Sequence, residues 1–203
     1  MTVTADDLDT ALSSVAGTLG PATDRDWSVP AGTLDWDCWH TAEHIGDTLL
    51  SYAFQLVARP EKRYVPFAAT AEPDASAAQV LEFAAAAGRI LAAVVRSTPP
   101  DVRADHPSGP ADPEGFAGMG CVEAVLHGDD IARGLGLTFD PPRELCARLV
   151  ARMFPDVAPE LADDDPWDAL RWCTGRAELP GHPRRTRWQL HGAPPRRNER
   201  GPG

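Results

Sequence analysis

Apolar residues recur along this chain at helical spacing, with almost no two-residue alternation, so the pattern predicts an all-helical protein. In residues 4–19, Leu8, Leu12, Val15 and Leu19 form one stripe. Thr4 and the aspartates after it suit a helix N-terminus, and Gly20-Pro21 ends the run. Similar reasoning predicts helices over about residues 36–58, 74–96, 114–137, 143–154 and 166–175. The segment 99–114 is rich in Pro, Gly and Asp and reads as a long loop, the kind that walls or covers a site. From Leu179 to Pro195 the prolines disfavour helix and predict an extended strap. Four long helices with moderate connections predict a four-helix bundle in residues 1–139, followed in residues 140–203 by a helical and extended appendage with a basic tail.

The fourth predicted helix breaks its own pattern. On a helical wheel Glu123 lies about 40° from His127, and Phe116, Ala124, Ile131 and Leu135 surround the pair. Asp129 and Arg133 fall on the far side, where solvent is expected. An unpaired carboxylate on a mainly apolar face is costly, so the pair needs compensation. A divalent metal shared with a facing helix supplies it, because residues four apart reach one ion. A buried Glu–His hydrogen bond that holds two helices in register supplies it equally well.

The second helix offers polar partners in His40, His44, Asp47 and Ser51. Its apolar face, however, is Trp39, Ala42, Ile45, Leu49, Ala53 and Leu56, and His44 points nearly opposite the centre of that face. The wheel therefore predicts a solvated polar line, unless the bundle opens into a polar cleft there. Arg89 interrupts the apolar run AAAAGRILAAVV, either to bind an anionic substrate or to reach the surface. His106 lies in the long loop, where it can approach the site as part of a lid or sit at the surface. Trp27, Trp36 and Trp39 wall a pocket or join the core.

Composition narrows the function. The formal net charge is −11 and there is a single lysine, Lys62, which disfavours binding to nucleic acid. The acidic start is unlike a signal peptide, and no uninterrupted apolar run reaches bilayer length. The expected setting is cytoplasmic, with no membrane partner. Four widely spaced cysteines show no zinc-finger spacing and are expected to be reduced, small core residues.

HTAEHI, followed much later by EAVLHGDDIARGLGL, resembles the mycothiol-dependent maleylpyruvate isomerase family of the DinB-like superfamily. The resemblance implies a DinB-like four-helix bundle that binds a divalent metal ion, zinc in most members. It implies His44, Glu123 and His127 as ligands, with Asp130 in a capping or supporting role. It also implies a low-molecular-weight thiol cosubstrate such as mycothiol, and a small electrophilic substrate. The expected chemistry is S-transfer or thiol-assisted cis–trans isomerisation; beside it His40, one turn from His44, reads either as a supporting base or as an exposed helix histidine, and Arg89 is a candidate substrate-binding group. The closing segment DPWDALRWCTGRAELPGHP is similar to short actinobacterial members. The isomerase proper carries a further sterol-carrier-type domain that 203 residues do not accommodate, which draws the expectation away from maleylpyruvate as substrate. Two other readings stay open, a non-catalytic metal- or ligand-binding bundle and a metal-assisted hydrolase. A monomer or a homodimer is expected.

Overall fold

Capping side chains, rather than the first apolar residue of each run, set where the helices begin. Asp37 accepts the backbone N–H of His40 at 2.8 Å, Asp112 that of Gly115 at 2.7 Å, and Asp165 those of Trp167 and Asp168 at 3.0 and 3.1 Å. Ser76 and Gln79 form a reciprocal capping box. The second and third helices consequently start two or three residues later than the apolar pattern predicts, at Cys38 and Ala77.

The structure is a computed structural model that describes residues 2–193. Among these residues are six α-helices and no strand. They are α1 (Ala5–Leu19), α2 (Cys38–Ala58), α3 (Ala77–Ser97), α4 (Pro113–Gly134), α5 (Arg143–Met153) and α6 (Pro166–Cys173). Helices α1 to α4 form a DinB-like bundle in which α2 packs on α3 and α4, and α1 packs on the same two helices.

Helix α4 sits at the centre. Its buried residues run almost around its circumference, from Phe116 and Met119 to Val125 and Ile131. Gly120 permits the close approach, since a Cβ there would lie 2.9 Å from the methyls of Leu8 and Leu91 and 3.0 Å from that of Leu49. One side of that crowded helix can therefore carry polar groups only where a neighbouring helix answers them.

Helix α3 is long and apolar enough to cross a membrane, by length and composition alone. The helix turns Val80, Leu81, Ala84, Ala87, Leu91 and Ala92 into the bundle and leaves Glu82, Arg89 and Ile90 outside.

The segment after α4 shares the same hydrophobic core, to which α5 and α6 contribute Leu145, Leu149, Met153, Trp167 and Leu170. Arg148 of α5 pairs with the buried Asp7 of α1, and Arg152 pairs with Asp112, the cap of α4. The expected strap is present. His191 donates its N–H to Met153 O at 3.0 Å, and Gly192 O accepts from Asp112 N at 3.1 Å. A Cβ on Gly115 would overlap Gly192 O, so backbone meets backbone where the strap crosses the start of α4. The basic tail expected beyond residue 193 lies outside the described residues.

Candidate metal centre

Helix α4 places Glu123 and His127 one turn apart, with Glu123 Oε2 3.3 Å from His127 Nε2. Across the seam, His44 of α2 brings its Nε2 to 3.8 Å from the same oxygen. One ligand atom from each residue falls within 4.8 Å of the other two. The two imidazoles meet edge to face at 5.2 Å. Two imidazole nitrogens and a carboxylate oxygen, converging from two helices, form the donor set a divalent ion takes.

The wheel for α2 misplaces His44. Its side chain is only 32% exposed. A single wheel has one inside, whereas α2 packs on both α3 and α4, and on the α4 side His44 meets Glu123 and His127. Trp36 also covers His44, edge-on at 4.9 Å between ring centres. Asp129, which the wheel assigns to solvent, is 5% exposed. The segment after α4 covers that side, and Arg171 of α6 lies close enough to act on the Asp129 carboxyl.

The electrostatics of the three groups are coupled. Burial works to raise the Glu123 pKa, but the hydrogen bond from His127 and the charge of both histidines outweigh it, and the carboxyl sits below its ordinary range. Burial pushes His127 down, yet its bonds to Asp130 and Glu123 prevail and its pKa is raised. His44 is lowered by burial and by its neighbour His127. The carboxylates thus draw positive charge to this spot and concentrate it on His127.

The far nitrogen of His127 is also engaged. Nδ1 lies 3.1 Å from Asp130 Oδ2, and Asp130 is 2% exposed. Arg176, which follows α6, donates to the same oxygen from Nε at 3.3 Å and from Nη2 at 3.1 Å. Asp130 therefore supports His127 and is not one of the three converging groups.

Beside His44 lies a cavity of about 510 Å³ walled by Trp36, His40 and the carboxylates of Asp35, Asp37, Glu43 and Asp47. The loop over it hangs on α2, because Glu43 accepts Ala71 N–H at 2.9 Å and Asp47 accepts Ala69 N–H at 2.6 Å. His40 is 62% exposed, with Nδ1 2.8 Å from Asp37 Oδ1, and it lines the cavity without joining the three converging groups. Arg89 is exposed and takes no part in the walls of this cavity. It leaves α3 roughly 130° from the centre of the buried face, so of its two readings the structure supports the surface one. Trp27 is core, and Trp39 is half-buried with its indole N–H on Ala75 O at 2.8 Å.

An aromatic cluster also lies within electrostatic reach of Glu123. The half-buried His106 of the long loop stands edge-on to Tyr52 at 5.6 Å and to Tyr64 at 6.0 Å, and its Nδ1 accepts Ser108 N–H at 3.1 Å. Burial lowers the His106 pKa, while burial and then the charge of Glu123 raise those of Tyr52 and Tyr64. Sequence reasoning reached His106 but missed the tyrosines and Arg176. One signal was available, since the chain has only two tyrosines and both come within electrostatic reach of Glu123.

Residues 8–132 match the family described as mycothiol maleylpyruvate isomerase N-terminal domain. The match spans more than half of the chain, and the chain belongs to that family. No curated protein and no solved structure matches it.

Proposed function

With membership of that family as the premise, we propose that the chain holds a divalent metal ion, zinc in the first instance, on His44, Glu123 and His127, and uses it to activate a low-molecular-weight thiol of the mycothiol type. The thiol then adds to a small electrophile, in S-transfer or in thiol-assisted cis–trans isomerisation. The observation that carries this reading is the convergence of three ligand atoms from two helices within 4.8 Å. When bound, such an ion supplies Lewis acidity that lowers the pKa of a thiol, so that thiolate is available at neutral pH.

The chain's own residues do the rest. His44, Glu123 and His127 hold the ion, and Asp130 orients His127 through Nδ1. His40, tied to Asp37 through Nδ1, keeps Nε2 free at the cavity to take the proton the thiol loses. Trp36 and the loop hung on Glu43 and Asp47 limit access of water. Among the described residues no lysine or arginine lines the cavity beside its four carboxylates, which favours a neutral acceptor over a dianionic one.

The need for an external thiol agrees with the state of the chain's cysteines. All four are free and buried. Burial pushes Cys38 up to about 11 and Cys146 and Cys173 up to about 12, so none of these three is a ready nucleophile at neutral pH.

The test is elemental analysis of the purified protein beside His44→Ala and Glu123→Ala. One equivalent of metal in the wild type and a loss in both variants is the expected result. Stoichiometric metal in all three proteins would sink the ligand set. Assaying the loaded protein with and without thiol then separates thiol chemistry from hydrolysis and from simple binding.

A further inference from the structure

Arg176 lies outside the residues that match the family, in the segment that follows α6. Its backbone is fixed by the way α6 ends. Gly175, at φ 71°, donates its N–H to Trp172 O at 2.9 Å, and Arg176 N donates to Arg171 O at 2.9 Å. This pair of bonds is the Schellman closure of a helix C-terminus, which needs a left-handed residue such as glycine at that point. The turn reverses the chain and directs the next side chain back toward α4.

There the guanidinium meets a crowded oxygen. Asp130 Oδ2 accepts from Arg176 Nε at 3.3 Å and Nη2 at 3.1 Å, and lies 3.1 Å from His127 Nδ1. Asp130 is almost fully buried, and its neighbour Asp129 is a second buried carboxylate. With no fixed donor, the Asp130 carboxylate would be free to rotate about its side chain and to release His127. A fork of two N–H groups in one rigid plane, both donating to Oδ2, pins that oxygen from a fixed direction, as a single rotating ammonium cannot. The imidazole held at Nδ1 then points Nε2 toward Glu123 Oε2, 3.3 Å away, and into the seam shared with His44.

We propose that Arg176 is a positioning residue of the metal centre. It clamps Asp130, Asp130 holds His127 by Nδ1, and the segment beyond the family domain thereby completes the site. The proposal rests on the metal reading above for its consequence, but the clamp itself can be tested without metal.

The measurement is zinc affinity near neutral pH, by competition with a chromogenic chelator, for the wild type, R176K, D130N and R176K/D130N. Lysine keeps the charge and loses the fork, so it separates positioning from simple neutralisation. Outer-shell partners of a metal-bound histidine are worth about 10–100-fold in affinity, so D130N should weaken binding by that much and R176K by about 3–10-fold. If Arg176 acts through Asp130, the double variant binds within about twofold of D130N alone. Wild-type affinity in R176K, or effects that multiply in the double variant, would overturn the proposal.

Melting curves of the metal-free proteins check folding, and R176Q replaces R176K in the cycle if the lysine variant melts early. Should the wild type bind no zinc, the metal reading falls and the clamp is judged on the metal-free protein by nitrogen-15 NMR of His127. A shifted or broadened Nδ1 signal in the Arg176 variant supports the clamp, and an unchanged one overturns it.

Discussion

Glu123 and Asp129 leave the same helix less than two turns apart, the first half-buried and the second almost fully buried, and they meet opposite fates. Glu123 shares its Oε2 with His127 at 3.3 Å and His44 at 3.8 Å, and its pKa is lowered despite burial. Among the described residues the buried Asp129 finds no partner for its Oδ2, and burial raises its pKa against the opposing charges of Arg171 and Arg133. Arg171 Nε is likewise buried without a partner, since its Nη2 is taken by Asp168. Burial by itself does not mark a site. What distinguishes Glu123 is that groups from two helices converge on it in a geometry that a cation can use, whereas Asp129 meets charges that do not close on it.

That contrast can be broken most forcefully at Glu123. Replacing it with alanine should weaken zinc binding by more than about 100-fold, beyond the range of an outer-shell change, while Asp129→Asn should leave the affinity within about threefold. Equal losses in the two variants, read by chelator competition, would erase the distinction. A second measurement follows from linkage. Zinc at about one hundred times its Kd should stabilise the wild type by about 2.7 kcal/mol, raising Tm by roughly 5–10 °C. Asp129→Asn should keep that rise and Glu123→Ala should lose it.

The pH dependence of the metal-free protein sharpens the comparison further, because the two carboxyls contribute with opposite sign. The Glu123 pKa is lowered, so its stabilising contribution is present above the ordinary value of 4.5 and is lost as pH falls through the folded value. The Asp129 pKa is raised, so its contribution is full below the ordinary value of 3.8 and is lost as pH rises through the folded one. Urea unfolding at acidic and neutral pH should therefore show Asp129→Asn gaining on the wild type as pH rises, by about 1 kcal/mol. A variant that falls further behind at neutral pH would show that the orphaned carboxylate has a partner after all.

The smallest effect is expected at Arg89. Exposed on α3 and absent from the walls of the cavity, it should tolerate alanine with stability within about 0.5 kcal/mol of the wild type and thiol-dependent turnover within about twofold. A tenfold rise in KM for an anionic substrate would return Arg89 to the site.

Much of this was legible in the chain. Periodicity predicts all six helices, and their ends shift by only a few residues because capping side chains define the boundaries. The cost of burying Glu123 beside His127 marks the pair from residue spacing as one that needs compensation, and the family motif is what turned it into a candidate ligand pair. His44 was reached through the family motif and not through its own helix, since a wheel assumes one buried face and α2 has two neighbours. The aromatic cluster was not legible, because Tyr52, Tyr64 and His106 come from a helix and two separate loops and meet only when the chain closes.

By itself, then, the sequence determined the elements of this protein and one half of its site. Helical spacing and capping depend on residues within a few positions of each other, and so does the pairing of Glu123 with His127 one turn apart. Only the tertiary structure decided which polar groups share an environment. It moved His44 from the expected surface to the seam and Asp129 from the expected surface to the interior, and it left Arg89 exposed on α3. It also carried Arg176 from beyond α6 back to Asp130, 46 residues earlier in the chain. Contacts over that separation follow from how whole faces pack and from where a helix is made to turn, and neither is written in the local pattern.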